Sequence, residues 1–299
     1  MHHAPAVRRR KLGAELRRLR GDAGLTSGEA ARRVGWHQSK VSRIETGRSG
    51  VKPADLTLLL DVYGVHDLGL RALLAALSGA DAPAPAPDAR EARNGGRGRG
   101  WWYSYRDLLP PAYRDFIALE TQAVRARTLE TSVVPGLLQT PAYAREVTRA
   151  ALGGRVPRER VESLVEVRIA RQGVLCAAPP LELDVVLDEA VLRREVGGPE
   201  VMAEQLRRLA VAGTQPHVRL QVLPFASGVH IGVTGPFVIF SFPRIADLDV
   251  VVLDHLTSSL YVEGQDELRA YSAAFDTLRA HALSYEDSLA FIAGIGGDA

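Results

Sequence analysis

Residues 24–48 read GLTSGEAARRVGWHQSKVSRIETGR. Thr26 or Ser27 is placed to N-cap a short helix, because a hydroxyl there accepts from an otherwise unpaired backbone N–H. Ala30, Ala31 and Val34 follow as a stripe of small and apolar residues at helical spacing. Gly35 supplies the stop, since a left-handed backbone costs little only without a Cβ. A second helix is predicted from about His37 to Glu45, with Val41 and Ile44 facing the first. A small residue at the crossing, a glycine in the turn and two branched apolar anchors describe a helix-turn-helix.

The remaining side chains of the second helix are polar and sized for a DNA major groove. Gln38 can pair with adenine through two hydrogen bonds, and Arg43 or Lys40 with guanine N7 and O6. His37, Ser39 and Ser42 can adapt to either. Arg48, just past the helix, is within reach of phosphate.

This stretch resembles the phage-repressor-like, XRE-type helix-turn-helix family, over residues 12–64. The resemblance implies that Gln38, Ser39 and Arg43 read bases and that Lys40 and Arg48 lie near the DNA backbone. It also implies that Glu45, in the IETG run, pairs with Arg20 of the first helix. The family often has Gln at the first position of the preceding helix, where it supports the recognition Gln. Here that position is Ser27, whose shorter side chain predicts weaker support.

The flanks complete a small helical head. Residues 8–20 place Leu12, Leu16 and Leu19 on one face and arginines on the other. Pro53 starts a helix over 53–63 closed by Leu56, Leu59, Leu60 and Tyr63. A fifth helix, 67–77, carries Leu68, Leu70, Leu73, Leu74 and Leu77, to pack on the head or to serve as a dimer surface. Residues 79–100, with APAPAP and GGRGRG, read as a linker. The expected division is 1–78, linker 79–100, and a second domain over 101–299.

Charge follows this division. Residues 1–78 hold 14 Lys and Arg against 7 Asp and Glu, whereas residues 101–299 hold 19 against 25. A basic head on an acidic body is expected when only the head meets phosphate. The one cysteine, Cys176, excludes an internal disulfide framework and fits a reducing cytoplasm. No apolar run is long enough to span a membrane, and the basic N-terminus lacks the apolar stretch of a secretory signal.

The second domain opens on aromatics, WWYSYRDLLPPAY, which read as a helix anchor or a ring around a planar ligand. A long helix is expected from about Pro111 to Arg127, and another over 157–176 with Arg158, Arg160, Arg168 and Arg171 outward. Strands are expected at 181–190, 218–224, 236–243, 249–255 and 258–263, the last two as a hairpin around Leu256–Thr257. Helices at 199–212 and 264–283 and from Ser284 onward complete an α+β domain with a mainly antiparallel sheet of about five strands.

LETQAVRARTLETSVVPGLLQTPAYAR, VEVRIARQGVL, LDEAVLRREVGGPEVMAEQLRRL, VRLQVLPFASGVHIGVTGPFVIFSF and ALSYEDSLAFI resemble the C-terminal domain of a large actinobacterial regulator family. That domain was long catalogued as of unknown function and is described as antitoxin-like. The resemblance implies a cytoplasmic transcriptional regulator that binds a small protein encoded by a neighbouring gene. A lone small head would hold double-stranded DNA weakly, so a homodimer on two half-sites is expected. A one-component sensor of an unknown small molecule is the alternative, and an enzyme with a DNA-binding appendage is the third.

The residues offer that enzyme little. There is no G-x-S-x-G, H-E-x-x-H or Walker loop. The stretch 228–235, GVHIGVTG, lacks the Walker lysine and reads as a hairpin turn. His230 has no second histidine at ligand spacing, and Asp188, Glu189, Asp254 and His255 read as solvated or capping. Arg168, Arg171 and Gln172 are spaced to clamp an anion, or to form a salt-bridged helix face with Glu162 and Glu166. No catalytic residue, metal site or cofactor is expected.

Overall fold

The computed structural model describes residues 4–78, 105, 108–153, 156–242, 249–254 and 259–297. These fall into two compact units, one within residues 4–78 and one from Tyr105 onward.

The first unit has five helices: α1 (Ala4–Asp22), α2 (Ser27–Arg33), α3 (Gln38–Glu45), α4 (Pro53–Val62) and α5 (Leu68–Leu77). Leu12, Leu16 and Leu19 of α1 meet Ala30, Ala31, Val41, Ile44, Leu56, Leu59 and Leu60 in its core. Thr26 is the N-cap of α2, closing a reciprocal capping box with Glu29. Gly35 sits at φ +70°, the left-handed conformation expected of the turn. The fifth helix packs on α1 and α4. Leu74 and Leu77 are buried there, while Leu68 stays exposed.

The second unit builds a six-stranded mixed sheet in the order β3-β2-β1-β4-β5-β6. Its strands are β1 (Arg125–Glu130), β2 (Glu182–Asp188), β3 (Val218–Leu223), β4 (Phe237–Ser241), β5 (Val250–Asp254) and β6 (Ser259–Val262). The β1–β2 and β2–β3 pairs are parallel, and the three pairs from β1 through β4 and β5 to β6 are antiparallel. The helices are α6 (Pro111–Gln122), α7 (Pro141–Ala151), α8 (Arg158–Arg171), α9 (Glu189–Arg193), α10 (Pro199–Ala212), α11 (Gln265–His281) and α12 (Tyr285–Gly297). The parallel strands are joined through α7–α8 and α9–α10, as crossover connections require. One sheet face packs under α11 around Leu129, Val186, Phe237, Ile239, Val251, Phe275 and Leu278.

Three sequence expectations are corrected. The helix expected to reach Arg127 ends at Gln122, Ala123 is extended, and RARTLE is a strand at the sheet's centre. The reason is burial alternation: Ala126 and Thr128 are buried on one face, while Arg127 and Leu129 point to the other. The second correction is that helix 157–176 ends at Arg171, residues 172–176 tightening into a 3₁₀ turn. Third, GVHIGVTG is no hairpin turn. The strands on either side, β3 and β4, are not neighbours, so the segment crosses between non-adjacent strands through 3₁₀ turns at Phe225–Ser227 and Ile231–Thr234. The turn expected around Leu256–Thr257 and the aromatics at 101–103 lie outside the described residues.

Candidate nucleic-acid interface

The exposed face of the head is built on α3, and its packing side decides which side chains are left free. Val41, Ile44 and Glu45 are buried, so Gln38, Ser39, Ser42 and Arg43 project outward. The crossing with α1 is close. A Cβ on Gly13 would lie 2.4 Å from the Ile44 carbonyl oxygen and 2.7 Å from that of Glu45. Sequence reading placed the small residues of the crossing in α2 and missed Gly13, because nothing local distinguishes a glycine that admits another backbone from one merely tolerated.

Beneath α3 lies the pair the resemblance implied. Arg20 donates through Nε and Nη2 to the two Glu45 oxygens, at 2.7 and 3.0 Å, and through Nη1 to the Leu25 carbonyl at 2.6 Å. The Tyr63 hydroxyl donates to Glu45 at 3.4 Å. Burial and the neighbouring Glu45 charge raise the Tyr63 phenol above its usual pKa. This network ties α1, α3 and the end of α4 together, so the outward face of α3 is carried on a rigid base.

The expected DNA-facing residues divide by how they are held. Ser27, the first residue of α2, accepts a hydrogen bond from Gln38 Nε2 at 3.0 Å, so the short side chain still reaches its partner. His37 is the N-cap of α3, its Nδ1 accepting from Ser39 N–H at 3.3 Å with Ser39 Oγ 2.9 Å away. That leaves Nε2 to carry the proton in the neutral ring. Lys40 is engaged: its ammonium lies 2.9 Å from Asp55 and 3.5 Å from the centroid of the Trp36 ring. Exposed ion pairs of this kind contribute little and exchange readily for another anion. Arg43 and Arg48 are exposed and make no side-chain pair among the described residues. A cavity of about 190 Å³ beside α3 is lined by Arg17, Arg20, Ser27, Ser42, Glu45 and Thr46. Arg17 and Thr46 were not singled out in the sequence; for Arg17 the signal was its place on the basic face of α1.

Residues 11–74 match a helix-turn-helix domain. Residues 113–294 match a domain of unknown function, DUF5753. The chain belongs to the DUF5753 family. No curated protein and no solved structure matches the chain.

Within the DUF5753 domain, the stretches that stood out in the sequence converge on one buried turn. Arg171, expected outward, is buried. It donates through Nε and Nη2 to Glu120, at 2.9 and 2.6 Å, and through Nη1 to the Tyr113 hydroxyl at 2.6 Å. Arg168 donates to Gln139 Oε1 at 2.9 Å, and Gln172 Nε2 to the Gly136 and Gln139 carbonyls at 3.2 and 2.7 Å. Gln205 of α10 bonds the same VPGLLQT segment from the other side, at Leu138 O and Thr140 N, both 2.8 Å. These groups satisfy an irregular buried backbone, which otherwise loses its bonds to water without replacement. Neither the anion clamp nor the helix-face pairing describes them: Glu162 pairs with Arg145 at 2.7 Å. In VGGP, Gly197 and Gly198 have φ of +73° and +89°, turning the chain into Pro199 at the start of α10.

The polar groups considered for catalysis are also occupied. Asp188 caps α9 through Ala190 N at 2.8 Å and faces His230 Nε2 at 3.4 Å. Glu189 accepts from Arg193 at 2.5 Å and from Phe225 N at 2.8 Å. His255 lies outside the described residues. Among the described residues, no three His, Cys, Asp or Glu side chains gather as a metal site would need. No helix of the described residues is long and apolar enough to cross a membrane.

One carboxyl is displaced from its ordinary chemistry. Glu130 ends β1 with its side chain half-buried, where loss of solvent pushes its pKa up to about 8, well above the usual carboxylate range. The Thr128 hydroxyl, donating at 3.0 Å, opposes this shift in part. A raised folded pKa means that the folded state holds the proton more tightly. Stability from this group is therefore complete below about 4.5 and is lost as pH rises through about 8. Glu130→Gln is expected to flatten the stability profile over that window and to raise the melting temperature at its alkaline end. Equal pH slopes for the two proteins in calorimetry would refute it.

Proposed function

We propose that this chain is an XRE-type, sequence-specific transcriptional regulator that places α3 in the major groove. The observation that carries the reading is the outward row of Gln38, Ser39, Ser42 and Arg43 on a helix fixed from beneath by Arg20 and Glu45. Ser27 restricts Gln38 to one orientation before DNA arrives, which lowers the entropy lost on binding. His37 lies at the helix start, Arg48 reaches the phosphates, and Lys40 exchanges Asp55 for a phosphate. A head of this size binds one half-site weakly, so the regulator acts as a homodimer on two half-sites about one helical turn apart. The domain boundaries follow the sequence: a head over 1–78, a linker over 79–100 and a regulatory body over 101–299.

The DUF5753 domain is the antitoxin-like part of a cytoplasmic, actinobacterial-type regulator. It responds to a small protein encoded by a neighbouring gene. A second reading, a one-component sensor, is favoured by one observation. An open groove of about 420 Å³ is lined by Gln221, Asp276, Arg279, Ala280, Ser284 and Tyr285, within the size range of small-molecule sites.

The test is fluorescence anisotropy on the chain's own upstream DNA against scrambled DNA, over a salt series, with and without the neighbouring small protein. Specific, salt-sensitive binding that the small protein changes is expected. Gln38→Ala and Arg43→Ala should each weaken specific binding by about 1–3 kcal/mol and leave thermal stability unchanged. Ser27→Ala should cost less, because it frees Gln38 without removing it. Wild-type affinity in both the Gln38 and Arg43 variants would remove α3 from the groove.

A further inference from the structure

The segment between β3 and β4 displays apolar side chains on a fixed frame. Phe225, Val229, Ile231 and Val233 are between 52% and 92% exposed within nine residues. The other large exposed apolar residues among those described, Leu58, Leu68, Val211, Leu260 and Tyr285, are spread one to an element. The frame is pinned at several points. Phe225 N–H donates to Glu189 at 2.8 Å and Ser227 Oγ to the His281 carbonyl at 3.1 Å. His230 faces Asp188 through Nε2 and accepts from Gly232 N through Nδ1 at 3.2 Å. Gly232 is buried so closely that a Cβ would sit 2.8 Å from both His230 and Leu129. A segment anchored this firmly gains nothing for its own folding by leaving four large apolar side chains in water.

We propose that this segment is the self-association surface of the chain, and that its occupant is the same segment of a second copy. Charge selects the occupant. Residues 101–299 carry six more acidic than basic residues, so two such bodies bear net charge of the same sign and repel weakly at long range. Residues 220–243 contain no Asp, Glu, Lys or Arg. The exposed part of that run is a place where two copies meet without opposing like charges. A two-fold contact brings the same patch against itself, which an uncharged apolar loop satisfies and a charged one does not. The proposal rests on the homodimer reading above and gives it a location. Phe225 and Ile231 are the apolar anchors, and the pinned backbone keeps the ordering cost low.

The experiment is the mass of the full chain by sedimentation velocity, without DNA, for the wild type and for Ile231→Asp combined with Val233→Asp. Val211→Asp, at an exposed position of α10, is the control. The wild type and the control are expected to sediment as dimers. The double variant is expected to self-associate at least about thirtyfold more weakly, the loss of a central contact, with unchanged circular dichroism and melting temperature. A monomeric wild type overturns the proposal, as does a double variant that keeps the wild-type dimer, or a loop that binds only the neighbouring small protein. If the double variant misfolds, Val229→Ser with Val233→Ser replaces it under the same criterion. DNA binding is scored separately. A monomer that still binds one half-site supports the α3 assignment, whereas a dimer that ignores operator DNA removes the regulator reading and leaves the interface standing.

Discussion

Glu120→Ala is expected to destabilise the DUF5753 domain by about 3–5 kcal/mol, measured by calorimetry on the full chain. The substitution leaves Arg171 buried, with the Tyr113 hydroxyl and the faces of Tyr113 and Phe116 as its remaining partners. A guanidinium out of water without a counter-charge is the costly state; the intact pair itself is closer to neutral. The pair also holds α8 against α6, from which Arg168 and Gln172 reach the VPGLLQT turn. Loss of Glu120 should therefore loosen that turn as well, seen as faster amide exchange at Leu137 and Leu138. Replacing both partners, Glu120→Leu with Arg171→Met, should recover most of the stability, because no charge is then stranded. A loss below about 1 kcal/mol for the single variant would mean that the pair is hydrated and contributes like a surface bridge.

The second large effect is expected in the head. Gly13→Ala should lower its stability by about 1–3 kcal/mol, the range for overpacking, and toward the upper end. The new methyl meets backbone oxygens of α3, not a side chain that can turn aside. To admit it, α1 and α3 must separate, which strains the Arg20–Glu45 pair and shifts the exposed row of α3. Specific binding should fall even at temperatures where the head stays folded, while nonspecific binding, carried by phosphate contacts, should change less. Gly13→Ser should behave similarly. A variant with wild-type melting temperature and operator affinity would show that the crossing is looser than its 2.4 Å approach implies.

The two units were not equally legible in the sequence. In the head, local signals coincided: an N-cap at Thr26 or Ser27, the left-handed Gly35, and leucines at helical spacing. In the body, five strands were readable from alternating or continuous apolar runs bounded by Pro and Gly. The sixth, β1, was hidden because Arg125 and Arg127 look like the solvent face of a helix. Their partners become visible only in three dimensions: Asp184 for Arg125, at 2.6 Å, and Ser272 for Arg127, at 3.0 Å. Arg171 was misplaced for the same reason, since its carboxylate lies 51 positions away. In GVHIGVTG the glycines were legible as turn residues, but the strand order that makes the segment a crossing is a property of the whole sheet.

That strand order also bears on how the chain comes into being. Among the described residues, the five helices that make up the head all lie within residues 4–78, so the head can begin to fold once that length has left the ribosome. The body cannot. Leu129 in the central strand pairs with Phe237, more than a hundred residues later, so one edge of β1 stays open until β4 has been made. Contacts so distant in sequence form slowly. During synthesis the chain therefore passes through a stage in which the helix-turn-helix head is folded while the sheet of the DUF5753 domain is still unfinished.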